Sequence, residues 1–188
     1  AAWRSAERST TRRGGRQAMV EEREAPLDVS FDGVRDKNVQ QLRTLNRCIF
    51  PVRYQDKMYE DAVNAEEFSQ LAHYTDIVVG GIACRKEAVS GGARLYIMTV
   101  GVLPPYRGRG VGTKLVEEIL EMAVADEELL DVYLHVQTSN EDAVRFYKRL
   151  GFEVRECVRN YYRRIEPPDA YLIARPIVRQ PKPEDCRA

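Results

Sequence analysis

The sequence predicts an α/β protein with a mixed, mostly antiparallel sheet. Three β-rich runs, 68–74, 76–86 and 94–102, follow one another with only short turns between them, which favours an antiparallel meander. A helical period then precedes another β-rich run at 131–137. A strand, a helix and a strand in succession imply a parallel crossover, so one parallel pair is expected beside the meander.

Two helices are predicted before the meander. Apolar residues recur at helical spacing from Val39 to Ile49. Asp36 is the expected N-cap of this first helix, and the helix should end before Pro51. A second, short helix is expected over 57–63.

The second half of the chain alternates between the two periods. Apolar residues from Val111 to Met122 predict a helix of about four turns. A further helix over 140–150 is capped by its first residue and ends at Gly151. The last strands are expected near 152–160 and 169–176.

Length and composition favour one folded domain with two tails. The chain has 188 residues, of which 44% are hydrophobic, and its 29 Lys and Arg balance its 29 Asp and Glu. The hydrophobic content excludes a disordered acidic or basic protein, and the charge balance argues against a surface that grips a phosphate backbone along its length. We expect a domain over 28–177, with flexible tails at 1–27 and 178–188.

The Arg-rich segment 1–27 leaves three interpretations open: a flexible tail, an organelle transit segment, and an arm that contacts nucleic acid or a partner. The longest apolar stretch, at 77–84, is interrupted by Gly80 and is too short to span a membrane. The cysteines lie far apart and lack a neighbouring His, so neither a zinc site nor any other metal site is expected, and the thiols should be reduced. Their positions are Cys48, Cys84, Cys157 and Cys186.

A glycine turn between a strand and a long helix is the strongest local signal. Glycines let backbone N–H groups converge on an anion, and the start of the following helix adds unpaired donors. The spacing fits neither a Walker loop, because Lys114 follows Thr113, nor a dinucleotide loop, because the third glycine position holds Thr113. A simple tight turn remains the alternative. The run is Arg107-Gly108-Arg109-Gly110-Val111-Gly112-Thr113.

Several motifs resemble known acetyltransferases. Arg107-x-x-Gly110-x-Gly112 resembles the acyl-CoA pyrophosphate loop of the GNAT superfamily. The superfamily's second signature resembles Asn140-x-x-Ala143-x-x-Phe146-Tyr147-x-x-x-Gly151-Phe152. Four further segments resemble the N-alpha-acetyltransferase 50 family, the catalytic subunit of the NatE activity: Phe50-Pro51-Val52-x-Tyr54, Leu95-Tyr96-Ile97-Met98-Thr99, Tyr133-Leu134-His135-Val136-Gln137 and Asn160-Tyr161-Tyr162-x-x-Ile165-Glu166-Pro167. The resemblance covers about residues 29–177 and implies a GNAT fold, with the acetyl-CoA cleft at the parallel crossover.

The resemblance implies direct transfer of an acetyl group from acetyl-CoA to an amine, without a metal. Asn140 could bond the pantetheine arm, although its role as a helix cap is enough to explain its presence. Tyr147 either packs on the cofactor or protonates the leaving thiolate. The implied cofactor residues are Val100, Gly101, Val102, Arg107, Gly108, Arg109, Gly110, Val111, Gly112, Thr113, Asn140, Ala143 and Tyr147.

Two residues are candidates for removing the proton from the amine. Strand alternation places Tyr96 on one face with Met98 and Val100, and His135 on one face of its strand with Tyr133. If the strands are parallel neighbours, Tyr96 and His135 face one cleft. Spacing alone also fits a half-buried Tyr and a core His without a catalytic role. The resemblance implies that the two residues relay the proton through water.

The resemblance also implies the acceptor: the α-amine of a peptide or nascent chain that begins with Met, followed by an apolar or other non-acidic residue. Tyr54 and Tyr161 would bond the peptide backbone. The implied lining of the peptide mouth is Phe50, Pro51, Val52, Tyr54, Met98, Tyr161, Tyr162 and Ile165.

Three other functions remain open: acetylation of lysine side chains, a non-catalytic role in an acetyltransferase complex, and nucleic-acid binding through the Arg-rich tail. The last two are disfavoured because Tyr96, His135 and the loop 107–112 are all present. The resemblance implies the N-terminal acetyltransferase A complex at the ribosome as a partner. We expect a cytoplasmic protein, with the nucleus as a second location.

Overall fold

The computed structural model describes residues 25–163 and 165–179. Its strands are Ser30–Gly33 (β1), Gln70–Tyr74 (β2), Ile77–Val89 (β3), Gly92–Val102 (β4), Leu129–Gln137 (β5), Glu153–Val158 (β6) and Ala170–Pro176 (β7). Its α-helices are Val39–Ile49 (α1), Asp56–Asn64 (α2), Val111–Ala125 (α3) and Glu141–Arg149 (α4). Short 3₁₀ turns lie at Glu66–Phe68 and Pro104–Tyr106.

The strands form one sheet in the order β1-β2-β3-β4-β5-β7-β6. β4 and β5 run parallel and are joined through α3, whereas every other neighbouring pair is antiparallel. The predicted mixed α/β sheet with a parallel crossover is therefore confirmed.

Helices cover both faces of this sheet, as two neighbouring glycines show. A Cβ on Gly80 would meet Val111 and Leu115 of α3, whereas a Cβ on Gly81 would meet Leu45 of α1. Two buried clusters result, one under α3 and α4 and one under α1 and α2. Burial of these apolar faces against the sheet is the main stabilising contribution.

Three features near the N-terminus differ from what the sequence predicts. Strand β1 is not indicated by any sequence pattern, yet this short edge strand pairs with β2. Asp36 is not the N-cap of α1: Asn38 occupies that position, and its side chain accepts from the Arg35 N–H (2.7 Å) and donates to the Gly33 carbonyl (2.9 Å). The domain begins before residue 28, because Leu27 is only 1% exposed and belongs to the core under α3.

The two predicted tails lie mostly outside the described residues, at 1–24 and 180–188. At the C-terminal end, the Ile177 N–H donates to the Leu130 carbonyl (2.9 Å). The Arg179 side chain donates to the Leu129 carbonyl (2.6 Å), so the folded part extends at least to this residue rather than ending at Ile177. In the described part of the chain, no helix is long and apolar enough to cross a bilayer.

A bulge in β4 sets up the cleft described below. Ala83 and Cys84 of β3 face Thr99 and Ile97 of β4, which leaves Met98 as the extra residue. Met98 therefore packs with the α1 and α2 cluster, whereas Val100 packs against the cluster under α3. The expectation that Tyr96, Met98 and Val100 share one face is thus wrong for Val100.

Candidate active site

The parallel strands β4 and β5 separate towards their C-terminal ends and form a V-shaped opening in the sheet. β4 and β5 pair only as far as Tyr96 and Tyr133, after which β5 pairs with β7 alone. Among the described residues, the backbone of β4 from Val100 to Val102 therefore has no strand partner on the β5 side. Such an edge can form strand-like hydrogen bonds with an extended ligand.

A cleft of about 520 Å³ occupies this opening, between the end of β4, the start of α3 and the side of α4. Most of the predicted cofactor residues line it. Four further residues that were not predicted to contact the cofactor also line it. The predicted lining residues are Val100, Gly101, Val102, Arg107, Gly108, Gly110, Val111, Gly112, Thr113, Ala143 and Tyr147. The additional ones are Ile49, Tyr106, Phe146 and Arg149, with the predicted peptide residue Phe50 also present.

The glycine loop keeps its backbone donors available. Gly108 and Gly110 have φ values of 77° and 81°, which L side chains rarely adopt. Gly110 is the N-cap of α3; in the described structure no side chain caps this helix, and its first turn carries no acidic residue. The first N–H groups of α3 can therefore bind an anion, with the Arg107 side chain beside them.

Two predicted cofactor residues lie outside the lining of the cleft. The Arg109 Nε donates to the carbonyl of Ala25 (3.2 Å) rather than turning into the cleft. Asn140 caps α4 by accepting from the Ala143 N–H (3.2 Å), as the sequence predicts. Tyr147 is fully buried against Phe152 at a ring distance of 5.4 Å, and burial raises the pKa of its hydroxyl. Its ring thus forms part of the wall of the cleft.

Tyr96 and His135 meet beside the cleft, and Tyr161 joins them. The His135 Nδ1 lies 3.4 Å from the Tyr96 hydroxyl, which lies 3.1 Å from the Tyr161 hydroxyl. The rings of His135 and Tyr161 are stacked, with centroids 4.2 Å apart and planes 14° apart. The sequence motifs indicate a role for Tyr161 only in the peptide mouth, and its contact with Tyr96 and His135 is visible only in the fold.

Burial acts on these two candidate bases in opposite directions. Burial lowers the pKa of His135 below its ordinary value, because the protonated ring is poorly solvated there. Burial, followed by the hydrogen bond with Tyr161, raises the pKa of Tyr96. Near neutral pH, His135 is therefore an unprotonated acceptor and Tyr96 a protonated phenol that can orient water or relay a proton.

A charged network supports the far side of Tyr96. The Tyr133 ring lies 4.9 Å from that of Tyr96, and its hydroxyl donates to Glu87. The Arg85 guanidinium lies 5.2 Å from the centre of the Tyr96 ring and is itself held by Glu87. On the other side of Tyr133, Arg94 lies over the ring. Strand alternation placed Tyr133 on the His135 face, but nothing local in the sequence indicates the network.

The two halves of the predicted peptide mouth come together, although about 100 residues of sequence separate them. Phe50 is buried and lies edge-on to Tyr54 at 5.7 Å. Burial raises the pKa of the Tyr54 hydroxyl, and the nearby Tyr162 raises it further. Tyr162 is packed against Tyr161 at 4.9 Å, and burial raises the pKa of Tyr162 to about 12. This aromatic cluster is continuous with the cleft because Phe50 lines both.

The remaining predicted mouth residues differ in exposure. Val52 and Pro51 are exposed, whereas Ile165 is half-buried. Met98 is 8% exposed and packs with the α1 and α2 cluster. The Tyr162 hydroxyl is buried and has no hydrogen-bond partner among the described residues, so a polar group of a ligand would satisfy it.

The fold and the cleft define the acyl-CoA-dependent N-acetyltransferase class. The acetyltransferase (GNAT) family profile matches residues 39–152. N-alpha-acetyltransferase 50 of Danio rerio is 45% identical over 145 residues, which cover 77% of this chain and 86% of that protein. A probable N-acetyltransferase of Drosophila melanogaster, san, is 43% identical over 151 residues, covering 80% and 82%. The chain belongs to the GNAT acetyltransferase family and, within it, to the N-alpha-acetyltransferase 50 family.

A solved structure supports this assignment. Naa50 of Arabidopsis thaliana, in complex with the bisubstrate analogue CoA-Ac-MVNAL, is 55% identical and superposes with a TM-score of 0.74. The superposition covers 78% of this chain and 97% of that one. Within the described residues, no group of three His, Cys, Asp or Glu side chains could hold a metal ion.

Proposed function

We propose that the protein is an N-terminal acetyltransferase that transfers acetyl from acetyl-CoA to the α-amine of peptides beginning with Met. The observation that carries this proposal is the Tyr96–His135–Tyr161 cluster, which lies where β4 and β5 separate beside a cleft with a free helix N-terminus. Two similarities support it: the Danio rerio relative and the Arabidopsis thaliana structure, whose ligand joins CoA, acetyl and a Met-initiated peptide.

The chemistry follows from this geometry. The neutral amine attacks the thioester carbonyl, a C–N bond forms, and the C–S bond breaks to release the CoA thiolate. The proton leaves the amine through water to His135, with the Tyr96 hydroxyl holding the water or relaying the proton. The glycine loop holds the pyrophosphate, with Arg107 beside it and the Arg107 Nε donating to the Val102 carbonyl (2.9 Å). The edge of β4 from Val100 to Val102, which has no strand partner on the β5 side, holds the pantetheine arm.

An α-amine suits this site better than a lysine side chain. An α-amine has a pKa near 8, so roughly one-tenth of it is neutral at pH 7, against below about one in a thousand for lysine. A single half-buried His is then a sufficient base. The aromatic rings of Phe50, Tyr54 and Tyr162 offer apolar contacts that favour an apolar first side chain, such as that of an initiator Met.

Two peptides test the acceptor. The first begins with a free Met-Leu, and the second is identical except for a blocked N-terminus and one internal Lys. We expect acetyl-CoA to add one acetyl mass to the first only. Acetylation of only the second would replace our proposal with lysine acetylation, and modification of neither would favour a non-catalytic subunit.

We further infer a role in the NatE activity, with docking on the N-terminal acetyltransferase A complex at the ribosome. This inference rests on the resemblance of the sequence motifs to the N-alpha-acetyltransferase 50 family. The cytoplasm, with the nucleus as a second location, is the matching cellular address. Co-purification of the tagged chain with the subunits of that complex tests the partner, and recovery of the chain alone would contradict it.

A further inference from the structure

Two hydrogen bonds connect the segment Ala25–Leu27 to the glycine loop, one to the backbone of Arg109 and one from its side chain. The Leu27 N–H donates to the Arg109 carbonyl (3.1 Å), and the Arg109 Nε donates to the Ala25 carbonyl (3.2 Å). The Lys114 Nζ donates to the Leu27 carbonyl (2.9 Å). One short segment thus contacts both the loop and the first turn of α3.

The Leu27 side chain anchors this segment in the core. It is 1% exposed and belongs to the same buried cluster as Val111 and Leu115, the first two buried positions of α3. Burial of a leucine side chain at this point fixes the backbone that carries the hydrogen bonds.

The glycine loop depends on such support from outside. A Cβ added at Gly108 or Gly110 would meet open space beyond the two neighbouring residues, so the outer side of these glycines is not packed against other described residues. The first N–H groups of α3 cannot be capped by the chain without losing the anion site. The segment leaves those donors free, because it uses the Arg109 carbonyl and two side chains instead.

We propose that Ala25–Leu27 is a strap that holds the loop 107–112 in its acetyl-CoA-binding conformation. Arg109 and Lys114 serve as positioning residues for the strap rather than as ligands of the phosphates. Arg107 then remains as the loop arginine that lines the cleft. This inference rests on acetyl-CoA binding in the cleft, as in the proposed function.

Leu27→Ala tests the strap against Val34→Ala. Both changes truncate a buried aliphatic side chain, but Val34 lies in the cluster under α1 and α2, away from the loop. Both variants should lower the melting temperature. Only Leu27→Ala should raise the Kd for acetyl-CoA, by roughly 5-fold or more. Calorimetric titration of the full chain measures this, and equal Kd values in the two variants would overturn the strap.

Hydrogen exchange without ligand separates a strap from a direct phosphate contact. If the strap holds the loop, the Lys114 amide, which donates to the Gly110 carbonyl (3.0 Å), exchanges faster in both Leu27→Ala and Arg109→Ala. The double variant should then bind acetyl-CoA no more weakly than the weaker-binding of the two single variants. Unchanged exchange with additive losses of affinity would assign Arg109 to the phosphates and overturn the proposal. Failure of the wild type to bind acetyl-CoA would instead refute the proposed function, because the exchange comparison needs no ligand.

Discussion

At the scale of single residues, the opposite pKa shifts of His135 and Tyr96 assign different tasks to two groups that the sequence could only place together. Burial keeps the His135 ring unprotonated and the Tyr96 phenol protonated. Only His135 is then a proton acceptor near neutral pH, and Tyr96 works through its hydroxyl. The stacked Tyr161 ring contributes to this burial, since it covers one face of the imidazole.

His135→Ala should lower kcat by about 100-fold or more, because a positioned general base contributes about 10²–10⁴-fold. Acetyl-CoA binding should stay near that of the wild type, since His135 does not line the cofactor cleft. Steady-state kinetics with a Met-initiated peptide and calorimetry with acetyl-CoA give the two values. Equal losses in both would show a structural role for His135.

The stacking of Tyr161 on His135 predicts a shift in the pH profile. The base works when deprotonated, so kcat of the wild type should fall only as the pH drops through the lowered pKa of His135. Tyr161→Ala admits water to the ring and should move that acidic limb to higher pH, towards the ordinary value near 6.5. Tyr161→Phe, which keeps the stacked ring, is the control. If the acidic limb of the pH profile lies at the same pH in Tyr161→Ala and in the wild type, the Tyr161 ring does not lower the pKa of His135.

At the scale of elements, the glycine turn before α3 has to meet two requirements: a left-handed backbone at Gly110, and N–H groups that stay free to bind an anion. Gly110 and Gly91 have similar positive φ values, 81° and 88°, and open space around each. Gly91 lies in the turn between β3 and β4, away from the cleft. The pair therefore allows the strain of an added Cβ to be separated from its effect on the ligand.

Gly110→Ala and Gly91→Ala should each lower the free energy of unfolding by about 1–2 kcal/mol, the cost of a left-handed L residue. Only Gly110→Ala should also raise the Kd for acetyl-CoA, because it disturbs the N-cap whose neighbouring donors bind the pyrophosphate. Urea unfolding and calorimetry measure both quantities. A comparable loss of affinity in Gly91→Ala would mean that the effect is one of global stability.

Prediction from the sequence succeeded for elements with a long regular period and failed where one residue changes the pattern. The α1 pattern and the crossover through α3 are visible because their periods are sustained. The bulge at Met98 is invisible, since strand alternation continues on both sides of it and only the pairing with β3 reveals the slip. Strand β1 was missed because its four residues are too short to show a period.

At the scale of the whole molecule, the sheet brings sites together that are distant in the sequence. The stacking of Tyr161 on His135 depends on β7 lying between β5 and β6, which local patterns do not encode. Phe50, from the end of α1, lines the cofactor cleft and contacts Tyr54 of the peptide mouth. Phe50 therefore connects the lining of the cofactor cleft with the aromatic cluster of the predicted peptide mouth.

This continuity predicts that one ligand can occupy both sites at once. A conjugate of CoA, acetyl and a Met-initiated peptide should bind about 10²–10⁴-fold more tightly than acetyl-CoA alone, because the second contact becomes intramolecular. Phe50→Ala should remove much of this gain, since Phe50 lies at the junction. Val89→Ala, at a position 40% exposed at the end of β3 and outside both sites, is the control and should retain the gain. Competitive titration measures the affinities of the conjugate and of acetyl-CoA for the wild type and for each variant. A conjugate that binds no better than acetyl-CoA would show that the mouth and the cleft are separate sites.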